Sequence, residues 1–143
     1  MGSYLFTYGT LRPGHAPDEI APAVEKLRLA GRGFVHGILY DLGDYPGAVL
    51  DPSCKQKIFG TVFRLPEDET ILRRLDEYEG FDPSAPDSSL FIRTLQTVVL
   101  SKERTRECWT YVYNGKLESA RILATGRYRK KRLGTATEKG SPG

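Results

Sequence analysis

Apolar and polar residues alternate along most of this chain in short runs, and one stretch departs from that rhythm. The alternating or aromatic-rich runs are Tyr4-Leu5-Phe6-Thr7, Phe34 to Tyr40, Ala48-Val49-Leu50, Lys57 to Leu65, Leu90 to Leu100 and Cys108 to Tyr113. Each is short enough and rich enough in β-branched and aromatic residues to predict a strand. In the fourth, Phe59, Thr61, Phe63 and Leu65 share one side. The departure lies between Thr70 and Glu79, where Ile71, Leu72, Leu75 and Tyr78 recur at the spacing of one helix face. Weaker helical patterns cover Ile20 to Leu29, ended by Gly31-Arg32-Gly33, and Leu117 to Ala124. Strands outnumber helices and come in adjacent runs. This predicts an α+β fold: a small, mostly antiparallel β-barrel with flanking helices.

The well-marked helix begins at Pro66-Glu67-Asp68-Glu69, with proline in its first turn and acids at the positive dipole end. Gly80 stops it. Glu79 lies four residues after Leu75 and seven after Leu72, so it projects from the apolar face, while Asp76 and Glu77 fall to the sides. A carboxylate held there must be paired, hydrogen-bonded or shifted in its proton affinity. The alternative is a last turn that frays and releases Glu79 to water.

The first strand runs into Tyr8-Gly9-Thr10-Leu11-Arg12-Pro13-Gly14. Gly9 relaxes the backbone there and Pro13 ends any sheet pairing. Such a turn can aim successive N–H groups outward as an anion-binding nest, with the Arg12 guanidinium beside it. The same residues also fit an ordinary exit from a strand. Gly37, inside the second strand, suggests a bulge or a close approach of backbones. Asn114-Gly115 is a turn.

Length and composition narrow the class. The 143 residues suit one domain over 1–128, followed by a basic segment, 129–143, that reads as a disordered tail. From Arg127 onward there are six bases and one acid, against 15 bases and 17 acids before it. Bases within Arg127 to Arg132 could touch phosphates, but the body shows no basic face, so nucleic acid is not the expected partner and a solvated tail is. Cys54 and Cys108 make no disulfide framework and suit a reducing, cytoplasmic setting. No run is long enough to span a membrane, no secretory pattern opens the chain, and Phe6 occupies the Ser/Thr position of a myristoylation signal.

The motifs of several enzyme classes are missing. His15 and His36 lack metal-ligand spacing and there is no Cys-x-x-Cys, so no metal and no cofactor is expected. There is no Gly-x-Ser-x-Gly elbow, phosphate loop or dinucleotide fingerprint. Neither cysteine has a nucleophile motif around it. Trp109, Tyr111 and Tyr113 share a strand face and read as core or barrel lining rather than a platform for bases. What remains is one carboxylate, Glu79, and one anion-holding loop, residues 8–12. That combination suits a reaction whose substrate brings its own nucleophile.

The two motifs together, Tyr8-Gly9-Thr10-Leu11-Arg12-Pro13-Gly14 and Leu75-Asp76-Glu77-Tyr78-Glu79-Gly80, resemble the gamma-glutamylcyclotransferase-like family. The resemblance extends through Gly33 to Gly47 and the coupled pattern Arg93 to Val99 with Trp109 to Tyr113, covering residues 4 to 128. It implies a small barrel with flanking helices, a glutamate base at Glu79, and a loop Tyr8 to Leu11 that holds the γ-glutamyl portion of the substrate. The implied reaction is metal-free cleavage of a C–N bond with cyclisation. The α-amine of a γ-glutamyl amine or γ-glutamyl amino acid attacks its own γ-carbonyl, giving 5-oxoproline and a free amine. The partner is then a small γ-glutamyl compound, and the protein a monomer or homodimer.

Two positions depart from the family pattern: Phe91 where a tyrosine is frequent, and Arg127 where an acid precedes the aromatic Tyr128. Both bear on substrate contacts at the barrel mouth. The loop reads Tyr-Gly-Thr-Leu rather than the Tyr-Gly-Ser-Leu of the glutathione-specific branch, which leans away from glutathione. The rival reading is a non-catalytic module that keeps the barrel and its pocket for binding a small ligand or a partner.

Overall fold

Five strands close on one another in a ring whose seams are made by a single late hairpin. The computed structural model describes residues 2–43, 45–117 and 120–128. Its strands are β1 (Tyr4–Thr7), β2 (Arg28–Asp41), β3 (Pro46–Leu50), β4 (Lys57–Arg64), β5 (Phe91–Val99), β6 (Thr105–Tyr113) and β7 (Arg121–Ile122). Its helices are α1 (Ala21–Val24) and α2 (Glu69–Glu79). The ring order is β2-β4-β1-β6-β5, closed by Phe34 of β2 against Val99 of β5. The β1–β6 pair is parallel, with Leu5 opposite Trp109, and the other pairs among the described residues are antiparallel. The result is a five-stranded mixed barrel with two helices. β3 and β7 extend the sheet along β2.

Alternation along each strand sorts the core into two layers. Phe6, Val35, Leu39, Ile58, Val62, Val98 and Cys108 pack together from the strands, joined by Tyr8 from the loop after β1, and fill the ring. Leu5, Phe63, Phe91 and Tyr111 point the other way and meet Ala23 and Val24 of α1 and Ile71 and Leu75 of α2. Each large side chain buried in this way contributes about 1.5–3 kcal/mol. Inside the ring, Gly60 leaves room for Phe6, whose ring a Cβ there would meet at 2.7 Å. Gly37 marks a close approach: its Cβ would stand 2.5 Å from the Val49 carbonyl oxygen. The bulge in β2 falls instead between Leu29 and Gly31.

Several local expectations give way to pairing. The helix expected over Ile20 to Leu29 stops at Val24, because Arg28 onward joins β2 opposite β4. Gly31-Arg32-Gly33 accordingly lies within a strand. The helix expected over Leu117 to Ala124 is absent among the described residues there; Arg121–Ile122 pairs with Tyr40 and Asp41 of β2. Tyr111 is core, as expected, with Trp109 and Tyr113 half-buried against it, and all three lie on the helix-covered side rather than lining the barrel. The basic stretch 129–143 lies outside the described residues. Among the described residues no helix is long and apolar enough to cross a membrane.

Candidate functional site

Helix α2 is built to place its C-terminal end firmly. Asp68, not Pro66, opens it, and the Asp68 side chain accepts from the Thr70 N–H at 2.9 Å. Gly80 closes it in the left-handed conformation, φ 74°, where a side chain would be strained. The Phe81 N–H then returns to the Asp76 carbonyl at 2.9 Å. Between these caps Ile71 and Leu75 face the core, and Glu79 follows them to complete burial. The last turn does not fray to release it.

Asp76 is the correction on this helix. It does not fall to the side but is 5 % exposed, so two of the three acids before Gly80 face inward. Its carboxylate accepts from Arg93 through Nε at 2.7 Å and Nη2 at 3.1 Å, and from the Tyr111 hydroxyl at 2.6 Å. The Arg93 guanidinium lies over the Trp109 ring, 4.4 Å from its centroid, and faces Phe81 at 5.7 Å. Planar stacking and a bidentate carboxylate are the two contacts arginine makes best.

The network continues from Tyr111 to the loop. The Tyr8 hydroxyl donates to the Tyr111 carbonyl at 2.7 Å and accepts from the Ala48 N–H at 3.3 Å. Burial first, and then the Glu79 charge, push the Tyr8 phenol well above its usual range, against a smaller lowering by the Ala48 N–H. Tyr111 is raised in the same sense by burial, by Asp76 and its hydrogen bond, and by Glu79, with Arg93 opposing. Glu79 therefore lies within electrostatic reach of both phenols, and both remain neutral donors.

The loop residues divide. Leu11 is fully buried in the helix-covered layer with Leu75 and Tyr111. Tyr8, Gly9 and Arg12 line a cavity of about 270 Å³ with Arg32 and Arg127. The Thr10 hydroxyl is shielded from solvent and has no hydrogen-bond partner. The nest expected from residues 8–12 is incomplete, because the Arg12 N–H turns back to the Thr10 carbonyl at 2.7 Å. In this stretch the left-handed residue is Gly14, φ 84°. Glu79 and Tyr8 thus lie within electrostatic reach of each other, while Glu79 does not line the cavity bordered by Arg12. Among the described residues no group of three His, Cys, Asp or Glu is placed to hold a metal.

Residues 5–130 match the family model described as gamma-glutamyl cyclotransferase, AIG2-like. The chain belongs to this family. Solved structures share the cyclotransferase fold at low identity. YkqA from Bacillus subtilis aligns with a TM-score of 0.64 at 20 % identity over 90 % of this chain, which spans 40 % of that protein. An AIG2-like protein from Mus musculus aligns at 0.63 and 20 % identity, with 82 % and 81 % of the two chains covered. A gamma-glutamyl cyclotransferase aligns at 0.56 and 13 % identity, with 79 % and 67 % covered. No curated protein matches the sequence.

The two departures from the family pattern occupy different places. Phe91 is fully buried, edge-on to Tyr113 at 5.4 Å and tilted against Tyr45 at 6.0 Å. Tyr45 and Tyr113 in turn line a cavity of about 480 Å³ with Asp41, Lys116 and Arg121. Arg127 is exposed on the other cavity, its guanidinium 4.2 Å from the Phe59 ring centroid. Asp76 and Arg93 were the residues missed by sequence reasoning. A lone arginine in an otherwise apolar and threonine-rich strand was the signal available.

Proposed function

We propose that this cyclotransferase-family protein cyclises a small γ-glutamyl compound, with Glu79 as the general base. The observation that carries the reading is the complete burial of Glu79 on a capped helix, within electrostatic reach of Tyr8, in a chain of this family. The chemistry asks little else of the protein. Glu79 takes a proton from the α-ammonium, and the freed nitrogen attacks the γ-carbonyl of the same molecule. A new C–N bond closes the five-membered ring as the old one breaks. The proton passes to the departing amine. Because the nucleophile is tethered, holding it near the carbonyl supplies much of the acceleration. The unpartnered Thr10 hydroxyl is the polar side chain of the loop that would orient the substrate, while Tyr8, engaged by the Tyr111 carbonyl and the Ala48 N–H, and Leu11, buried against α2, hold the loop in place. Glu79 is closed from solvent, so turnover also requires an opening of the side chains above it.

The test is 5-oxoproline release from a panel of γ-glutamyl amines and γ-glutamyl amino acids. At least one member should be turned over by the protein without added metal. If none yields 5-oxoproline, the enzymatic reading fails and the barrel is a binding module.

A further inference from the structure

The cavity at the end of β1 is not explained by Glu79. Its walls carry three arginines, Arg12, Arg32 and Arg127, and no acid. Among the described residues none of the three has a carboxylate within ion-pair distance. Three uncompensated guanidiniums around one small space repel one another unless something negative sits between them. Their placement is fixed by the fold. Arg32, Thr61 and Thr7 stand opposite one another across β2, β4 and β1, so their side chains share one face of the sheet. Arg127 is held against the wall by Phe59, and the chain bearing it is tied down by the Phe59 N–H, which donates to the Gly126 carbonyl at 2.8 Å.

A second observation points into the same space. Thr7 lines the cavity and is 3 % exposed, yet its hydroxyl has no hydrogen-bond partner. A buried hydroxyl left unpaired costs stability and is seldom retained without a reason. The volume, about 270 Å³, lies just below the range of pockets for drug-sized ligands.

We infer that this cavity is a binding site for a small dianionic oxyanion, held by Arg12, Arg32 and Arg127 with the Thr7 hydroxyl as a further donor. Planar guanidiniums match both a phosphate group and a carboxylate pair. The cavity shares Tyr8 and Gly9 with the loop of the proposed substrate site but is not lined by Glu79, so anion binding is read here without turnover.

Titration calorimetry on the full chain tests it, with inorganic phosphate in one arm and succinate in the other, against sodium chloride at matched ionic strength. One saturable site per chain is expected in at least one arm, and the arm that binds identifies the ligand chemistry. Arg32→Ala and Arg127→Ala should each weaken binding by about tenfold or more, the loss of a charge-assisted hydrogen bond. Thr7→Val should weaken it severalfold while leaving the melting temperature the same or higher, since it removes an unpaired buried hydroxyl. The proposal is overturned if neither anion binds saturably. It is equally overturned if the Arg32→Ala/Arg127→Ala protein, folded by circular dichroism, binds as the wild type does. That is the result expected if the bases of 129–143 carry the binding.

Discussion

The Tyr8 hydroxyl donates to the carbonyl oxygen of Tyr111 across 103 positions of sequence, and Tyr111 donates its own hydroxyl to Asp76, one turn before Glu79. The loop after β1, the strand β6 and the helix bearing the carboxylate are joined by these two phenols. Tyr8→Phe keeps the ring but leaves a buried carbonyl and the Ala48 N–H short of a partner. A loss of about 1–3 kcal/mol in urea unfolding is expected.

The same phenols set a response to alkali. Both titrate above the usual value of 10.0 in the folded protein, chiefly through burial. Beyond that pH the unfolded chain releases protons that the folded protein keeps. Stability is therefore fully present below pH 10 and falls as pH rises past it. Urea midpoints measured from pH 8 to 11 should show this fall, and it should be shallower in Tyr8→Phe and Tyr111→Phe.

Asp76→Ala should be the more damaging change on α2. It strands the Arg93 guanidinium and the Tyr111 hydroxyl together, and breaking a mostly buried pair costs about 3–5 kcal/mol. Arg93→Met, which retains contact with Trp109, should cost less than Arg93→Ala. Denaturant midpoints of the three variants give the order.

Glu79→Gln is nearly isosteric and should fold. On any γ-glutamyl substrate the wild type accepts, its turnover should fall by about two to four orders of magnitude, the usual contribution of a general base. Normal turnover would remove Glu79 from the role of base.

The two cysteines should differ sharply towards thiol reagents. Cys108 is wholly buried, and that burial pushes its thiol up to about 11. Cys54 is half-buried and free. At pH 8, mass spectrometry should show one fast maleimide addition, at Cys54, and a second only on unfolding.

The parts of the molecule that were legible in the sequence are those governed by local chemistry. Helix α2 announced itself through the acids after Pro66, its apolar spacing and Gly80, and the position of Glu79 on its buried face followed from the same spacing, although Asp68 rather than Pro66 opens it. The strands followed from alternation, and the barrel from their order. The misread elements were decided by distant partners. Ala23 and Val24 are buried as a helix face would be, but Leu29 is 70 % exposed on a strand, because pairing with β4 outweighs local helical preference. Asp76 was placed on the side of the helix because its partners, Arg93 and Tyr111, stand 17 and 35 residues away. The arginine cavity could not be seen from spacing at all, since it gathers residues near the start, the middle and the end of the described chain.

Both seams of the barrel are made by one hairpin, β5 against β2 and β6 against β1. During synthesis, β1, β2 and β4 emerge and can pair long before that hairpin exists. At about 5–20 residues per second, the nascent sheet keeps its β1 and β2 edges unpaired for several seconds. Open strand edges are templates for pairing with another chain. The vulnerable species of this protein is therefore not the finished barrel but the ribosome-bound half-barrel ending before Phe91, the form a chaperone would meet.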